Sequence, residues 1–502
     1  MDSSSLLPKS NAKWTERQRR LLTEIANDFT VSTEKLETLT QQFVHQMRLG
    51  LSTHDPQELA MIPTFVTGRP DGHERGSYLA LDLGGTNLRV CLITLKGNHQ
   101  LETHQKAYTV SDYLQQADVA ELMDFIAASI KEFIYSEHIS SKIVEHPSGS
   151  DTLELGFTFS FPVSQTAIDA GTLLRWTKGF DCPGAVGNDI VMLLQLALDR
   201  NDVNVHVAAL INDTVGTALA HSYSHSNTFV GAIFGTGTNG AYLEDTRNIK
   251  TMTLDSNDMF INTEWGNFDK GKNCLPVTIF DNKLDRESIN PSFQIFEKMI
   301  SGMYLGEITR NVLLHLIDHR ALFDGASSTQ LNMHSAFEAK FMSVIEADDS
   351  ESLNRTARVL ERYLDIHLST QTDREIVKLV CQLVGTRAAR LSAMATAALI
   401  RQGLEAGSLR NQGYPLKTSL HSEESVDQNG NGDASRPPLH VAIDGSVFEH
   451  YPHFEERMYD ALVEVLGKHA KDVVKLGIAR DGSGVGAALA ALIATKSVTN
   501  SR

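Results

Sequence analysis

A set of polar side chains stands where apolar segments of this sequence end, and their types suit one kind of chemistry. Ser160 closes "GFTFSFP", Thr177 and Lys178 lie in "RWTKGF", and Asn212 and Asp213 end "VAALIND". Asn239 lies in "GTGTNG", Glu264 precedes Trp265 in "INTEWGNFD", and Glu297 sits in "SFQIFEKMISGMYLGE". Each has an ordinary explanation. Asp213 would cap the helix after it, Asn212 would be a turn residue, and Glu297 a solvated helix position beside Lys298. A carboxylate next to an indole, as at Glu264, is commonly an interface detail. Together, these carboxylates, amides and hydroxyls supply donors and acceptors for a ligand covered in hydroxyl groups.

Glycine turns add a second chemistry. "DLGGTN" (82–87), "GTGTNG" (235–240), "IDGSV" (443–447) and "DGSGVG" (481–486) each place Thr, Ser or Asp beside glycine. Glycine lets the backbone turn sharply and approach a ligand closely. None of them is a standard phosphate motif. "GNFDKGKN" (266–273) fits G-x-x-x-x-G-K but ends in Asn273 and is followed by Pro276, so it lacks both the magnesium hydroxyl and a helix N-terminus for phosphate. "GTGTNG" fits G-x-G-x-x-G, yet "AYLE" continues it as a strand and makes a hairpin. "GSGVGA" (482–487) lies between strand and helix, too near the chain end for a following ribose-binding strand. Separate glycine turns spread along the chain imply a nucleotide clasped between two lobes, with one phosphate hairpin from "DLGGTN" and one from "GTGTNG".

The elements that must position these groups read as α/β. Helical spacing runs from Trp14 to Leu51, opened by a capping box of Thr15 with Gln18, and 54–77 reads as loop. Strands are expected at 78–83, 89–95, 153–161, 203–213, 439–443 and 473–479, with a hairpin over 228–244. Helices are expected at 122–134, 188–200, 214–223, 294–316, 377–402, 454–468 and 485–494. Residues 408–438, polar and aperiodic, are expected to form an exposed flexible loop. The 502 residues, 41% hydrophobic and 21% charged, are those of a large globular chain of two domains or one bilobed unit. A net charge of −17 argues against nonspecific nucleic-acid binding. The four cysteines form no C-x-x-C pair, no apolar run reaches the roughly 20 residues of a membrane span, and the N-terminus does not read as a signal peptide, so a cytosolic protein with no membrane insertion is expected.

The ordered series "LDLGGTN", "GFTFSFP", "WTKGF", "NDTVGT", "FGTGTN", "EWG", "FEKMISGMYLGE" and "DGSV" resembles the hexokinase family from about Met61 to Ala494. "GAIFGTGTNGAYLE" and "INTEWGNFD" are nearest in wording to its fungal glucokinases. The resemblance implies an α/β, two-lobed actin-like ATPase (ribonuclease H-like) fold closing on ATP–magnesium and a hexose. It places a small lobe at 77–212 and a large lobe at 213–480, the helical 1–76 belonging to the latter and 481–502 returning to the small lobe. It implies sugar contacts at Ser160, Thr177, Lys178, Asn212, Asp213, Asn239, Glu264 and Glu297. ATP contacts are implied at Asp82, Gly84, Gly85, Thr86, Asn87 and Arg89, at Thr236, and at Gly445 and Ser446, with Asp82 meeting the magnesium through water. The implied activity is ATP-dependent phosphorylation of the 6-hydroxyl of D-glucose, with mannose and fructose as further substrates, by a monomer or homodimer. Asp213 is then the base for the hydroxyl proton, with Lys178 and Arg89 supplying positive charge. A non-catalytic sugar sensor of the same family would have lost Asp213, Lys178 or a phosphate turn, and all are present. One departure is "NPS" where the family commonly has "NPG": if position 292 has positive φ, Ser292 carries strain on the order of 1 kcal/mol.

Overall fold

The computed structural model describes residues 14–53, 58–84, 87–136, 139, 152–176, 179–254, 256–407, 409, 414–422 and 437–500. One sheet contains β1 (Arg75–Leu83), β2 (Asn87–Gly97), β3 (Gln100–Thr109), β4 (Leu153–Phe159) and β5 (Val205–Ile211), in the order β3-β2-β1-β4-β5. The other contains β6 (Thr228–Phe234), β7 (Thr238–Asp245), β8 (Asp258–Asn262), β9 (Leu439–Asp444) and β10 (Val474–Ile478), in the order β8-β7-β6-β9-β10. Ile62 and Pro63 pair on the outer edge of β8.

The two sheets repeat one topology. Each is built on an antiparallel hairpin, β1–β2 or β6–β7, with a third antiparallel strand outside it. On the other side two strands run parallel to the first, β4 and β5 in one sheet and β9 and β10 in the other. Parallel strands end at a common edge. Leu83, Phe159 and Ile211 therefore release Gly84, Ser160 and Asn212–Asp213 together, while Phe234, Asp444 and Ile478 release the Thr236 turn, Gly445 and Asp481. Ligands of open α/β sheets bind outside such carboxyl edges.

The helices that matter to the site are α1 (Glu16–Phe29), α2 (Thr33–Ser52), α3 (Asp213–Ser224), α4 (Ile295–Ile300), α5 (Gly302–Asp318), α6 (Gln371–Ala406) and α7 (Gly482–Asn500). Both faces of β1 are buried: Leu79, Leu81 and Leu83 join one core, and Tyr78 and Ala80 the other. That is why it reads as a continuous apolar run. α7 covers the second face and crosses α3, where a Cβ at Gly486 would stand 2.2 Å from Cα of Gly216. A Cβ at Gly156 in β4 would stand 1.8 Å from the carbonyl of Ala487. The glycines of "GSGVGA" and its neighbours thus serve close packing that fixes α3, which begins with Asp213.

Several expectations hold and several shift. The Thr15–Gln18 capping box opens α1, with Thr15 N–H donating to Oε1 of Gln18 at 2.9 Å. The helix expected over 294–316 is broken at Ser301, because the first amides of α5 bond the β6–β7 turn: Gly302 N–H to Gly235 O at 2.8 Å and Met303 N–H to Thr236 O at 3.2 Å. No helix continues directly from "GNFDKGKN", the next one beginning at Ile279; Asp269 instead accepts the amides of Asn273, Cys274 and Leu275. Most of 408–438 lies outside the described residues, and at its described edges Leu409, Tyr414 and Leu416 are buried rather than exposed. The cysteines are all free, and no helix among the described residues is long and apolar enough to cross a membrane.

Candidate active site

Asp213 and Asn212 divide two tasks that the sequence left open. Asn212 is the cap of α3: its Oδ1 accepts the Thr214 amide at 2.9 Å and the Thr214 hydroxyl at 2.6 Å. Asp213, the first residue of the helix, is relieved of capping, and its Oδ2 accepts the Ser160 hydroxyl at 3.2 Å. The helix N-terminus favours its ionised form.

Across from it lies an amide–carboxylate cluster. Nδ2 of Asn239 donates to Oδ1 of Asn262 at 2.8 Å and to Oε1 of Glu264 at 3.1 Å, and Nδ2 of Asn262 donates to the same Glu264 oxygen at 2.8 Å. Glu264 is held in the left-handed region, φ 52°, which costs a non-glycine residue of order 1–3 kcal/mol. Burial pushes its carboxyl above the ordinary value, and the negative charge of Asp213 pushes the same way; the two asparagines and Arg175 pull against them. Asp213 and Glu264 therefore sense each other's charge across the site.

Glu297 is half-buried and is held by the β6–β7 hairpin. Its Oε2 accepts the Thr238 amide at 3.0 Å, while Lys298 is buried and bonds Oδ1 of Asp285 at 2.8 Å. The glycines of "GTGTNG" make room for this arrangement: a Cβ at Gly237 would stand 2.9 Å from Oε2 of Glu297, and one at Gly240 would stand 2.2 Å from the Trp265 ring. Ser292 has φ +64°, the left-handed conformation in which serine carries strain; its amide donates to Oδ1 of Asp285 at 2.9 Å. Thr177 and Lys178 lie outside the described residues. Trp176 just before them stacks on Phe180, with centroids 5.4 Å apart, and donates Nε1–H to Cys182 O at 3.0 Å.

A second cluster gathers the glycine turns. Arg89 is bound on several sides: Nη2 to Oδ2 of Asp82 at 2.5 Å and to Oγ of Ser483 at 2.6 Å, and Nη1 to Oδ1 of Asp481 at 3.2 Å. The Ser483 hydroxyl donates to Oδ2 of Asp82 at 2.9 Å. Burial pushes the carboxyls of Asp481 and Asp444 up, with Asp82 adding to it and Arg89 opposing. Gly84 N–H closes its turn on Asn87 O at 2.9 Å, while Gly85 and Thr86 lie outside the described residues. Gly445, φ +118°, admits no side chain, since a Cβ would stand 2.4 Å from the Phe234 carbonyl carbon. It lies against the β6–β7 turn, a Cβ at Gly235 being 3.4 Å from its Cα, so exposed Thr236 and Ser446 flank one another. Asp82, Asp444, Asp481 and Ser483 offer hard oxygen donors of the kind magnesium takes.

Asn262, Arg175, Asp444, Asp481 and Ser483 were not singled out in the sequence, although each stands inside or beside a segment that was.

Two family models, both described as Hexokinase, match residues 21–223 and 229–493, so that the seam between them falls between α3 and β6. Hexokinase-1 of Schizosaccharomyces pombe is 37% identical over 492 residues, covering 97% of this chain and 93% of its own length. Glucokinase of Aspergillus niger is 39% identical over 507 residues, covering 95% and 97%. The structure of hexokinase from Schistosoma mansoni complexed with glucose superposes with a TM-score of 0.77 at 32% identity, over 95% of this chain and 99% of that one. Its fold is the two-lobed actin-like ATPase fold, each lobe built on one of the repeated sheets. With both family models and this similarity over nearly its whole length, the chain belongs to the hexokinase family.

Proposed function

We propose that the protein transfers the terminal phosphoryl group of ATP to the 6-hydroxyl of D-glucose, and of mannose or fructose, giving the hexose 6-phosphate. The observation that carries this reading is Asp213: a carboxylate at a helix N-terminus, relieved of capping by Asn212, bonded to Ser160 and facing the Glu264–Asn239–Asn262 cluster. The sugar lies among Ser160, Thr177, Asn212, Asn239, Glu264 and Glu297, whose acceptors and donors match its hydroxyls. Such a site disfavours analogues lacking a hydroxyl, because buried partners are left unpaired.

Asp213 takes the 6-hydroxyl proton as phosphoryl transfer proceeds. Lys178 offsets charge on the transferred group, and Thr236, Thr86, Gly445 and Ser446 position the nucleotide. Magnesium bound with ATP would neutralise phosphate charge, and Asp82, through water, with Asp444 and Asp481 is the donor set that would face it. Arg89, clamped between Asp82 and Asp481, holds those carboxylates in place and reaches phosphate only by releasing one of them. In this reading the small lobe comprises 77–212 with the returning helix from 481, and its closure on the large lobe excludes water that would otherwise take the phosphoryl group.

A coupled assay with ATP and glucose, mannose or fructose tests the proposal. ADP formation that depends on hexose, with glucose 6-phosphate as product, is expected; no hexose-dependent ADP formation with any of the three would refute it.

A further inference from the structure

α3 carries Asp213 at its start and His221 two turns later, with His225 as its C-cap residue. His440 of β9 completes a cluster with them. Ring centroids are 4.3 Å apart for His221–His225, stacked at 18°, then 4.6 Å for His225–His440 and 5.4 Å for His221–His440. One ring nitrogen from each lies within 4.8 Å of the others. His221 is buried, His440 half-buried and His225 exposed, so the cluster opens to solvent on one side.

The surroundings prepare these rings to ligate. Nδ1 of His221 is 2.8 Å from the Thr228 hydroxyl, which itself donates to the His225 carbonyl at 2.8 Å. With the threonine proton committed there, Nδ1 of His221 is the donor and Nε2 keeps its lone pair. Gly477 in β10 leaves room at that nitrogen, for a Cβ there would stand 2.4 Å from it. His440 is held beside α3 by backbone, its amide donating to Asn227 O at 3.1 Å in register with Thr228.

We propose that His221, His225 and His440 form a binding site for a zinc-class divalent transition-metal ion, a solvent molecule completing its tetrahedron. A histidine pair four residues apart at a helix end with a third from a strand is a three-imidazole set with one open position. Zinc–nitrogen bonds of about 2.0–2.1 Å need the nitrogens about 3.4 Å apart; they lie within 4.8 Å of one another here, so binding has to turn the stacked His221 and His225 rings toward the ion. The site is at the far end of α3 from Asp213, on the order of 12 Å along the helix. His440 precedes Asp444 on β9. An ion there ties together the two elements that carry Asp213 and the Gly445 turn while touching neither.

The test uses untagged full-length protein stripped of metal with a chelator. Zinc is titrated against a chromophoric competing chelator, and cobalt(II) is added separately to record its visible absorption. Expected are one zinc per chain, a tetrahedral cobalt spectrum, and affinity weakened at least about tenfold in His225→Ala and in His440→Ala, the scale reached by loss of even an outer-shell partner. His225 is exposed, so its variant keeps the fold. His319→Ala, in the other closely spaced helical pair His315–His319 with centroids 4.3 Å apart, leaves the affinity unchanged. Absence of saturable zinc binding, binding that survives both cluster variants, or equal loss in His319→Ala would overturn the proposal.

Discussion

Replacing Gly237 by alanine adds one methyl group and strikes Glu297. The new Cβ would stand 2.9 Å from Oε2 of Glu297 and 3.7 Å from its Cδ, so one side has to move. The backbone at this turn is braced: Gly235 N–H bonds Gly237 O at 3.0 Å, and the amides of Gly302 and Met303 hold the carbonyls of Gly235 and Thr236. The carboxylate moves instead, and its bond from the Thr238 amide at 3.0 Å is lost. A hydrogen bond to a charged group is worth about 1.5–3 kcal/mol, and about 1.4 kcal/mol is a factor of ten in affinity. Glucose affinity should therefore fall by about ten- to a hundredfold, while kcat at saturating glucose changes less because Asp213 is untouched. Calorimetric titration with glucose and a steady-state coupled assay measure the two separately, and a thermal melt verifies that the fold is kept. A folded variant whose glucose Kd stays within about twofold of the parent would refute the assignment of Glu297 to the sugar.

Two further perturbations probe other parts of the molecule. Thr236→Ala removes an exposed hydroxyl beside Gly445 and should raise KM for ATP by about fivefold, one neutral hydrogen bond's worth; a selective loss of glucose affinity in titration would contradict the placement of this turn at the phosphates. Glu464 is penalised by burial, yet bonds from Arg390 at 2.6 and 2.9 Å and from Thr33 at 2.6 Å bring its carboxyl down from 4.5 to about 2. A folded pKa below the unfolded one gives stability that is full above pH 4.5 and lost as pH falls through 2. Glu464→Gln should therefore destabilise the protein by on the order of 3 kcal/mol at pH 7 and flatten the fall in stability on acidification, as measured by denaturant unfolding across pH.

The sequence was informative where local pattern and site coincide. The β6–β7 hairpin follows from a strand that continues past "GTGTNG", and the α1 capping box from Thr15 and Gln18 alone. Polar residues at the ends of apolar strands marked Ser160, Asp213 and Asn239, and the fold does bring Asp213 to Ser160 and Asn239 to Glu264. What stayed hidden depends on distant partners. β3 has a half-exposed polar face and little β pattern of its own, and it exists because β2 offers it an edge. The break at Ser301 is set by a turn far back in the chain, through Gly302 and Gly235. Arg89 looked like a free cation for phosphate; its carboxylate partner Asp481, just before α7, and its hydroxyl partner Ser483, in the first turn of α7, arrive from the opposite end of the sequence. Whether Asn212 or Asp213 caps α3 was equally undecidable locally, since either side chain is a good cap.

The most direct measurement is glucose binding and turnover by Asp213→Ala, by calorimetry and coupled assay side by side. Asn239, Asn262 and Glu264 hold one another, and the Thr238 amide holds Glu297, without help from Asp213, so glucose should bind within about threefold of the parent affinity, about 0.7 kcal/mol. Turnover should fall by about 10²- to 10⁴-fold, the usual contribution of a positioned base. Near-normal turnover in a variant that still binds glucose would contradict the account at its centre.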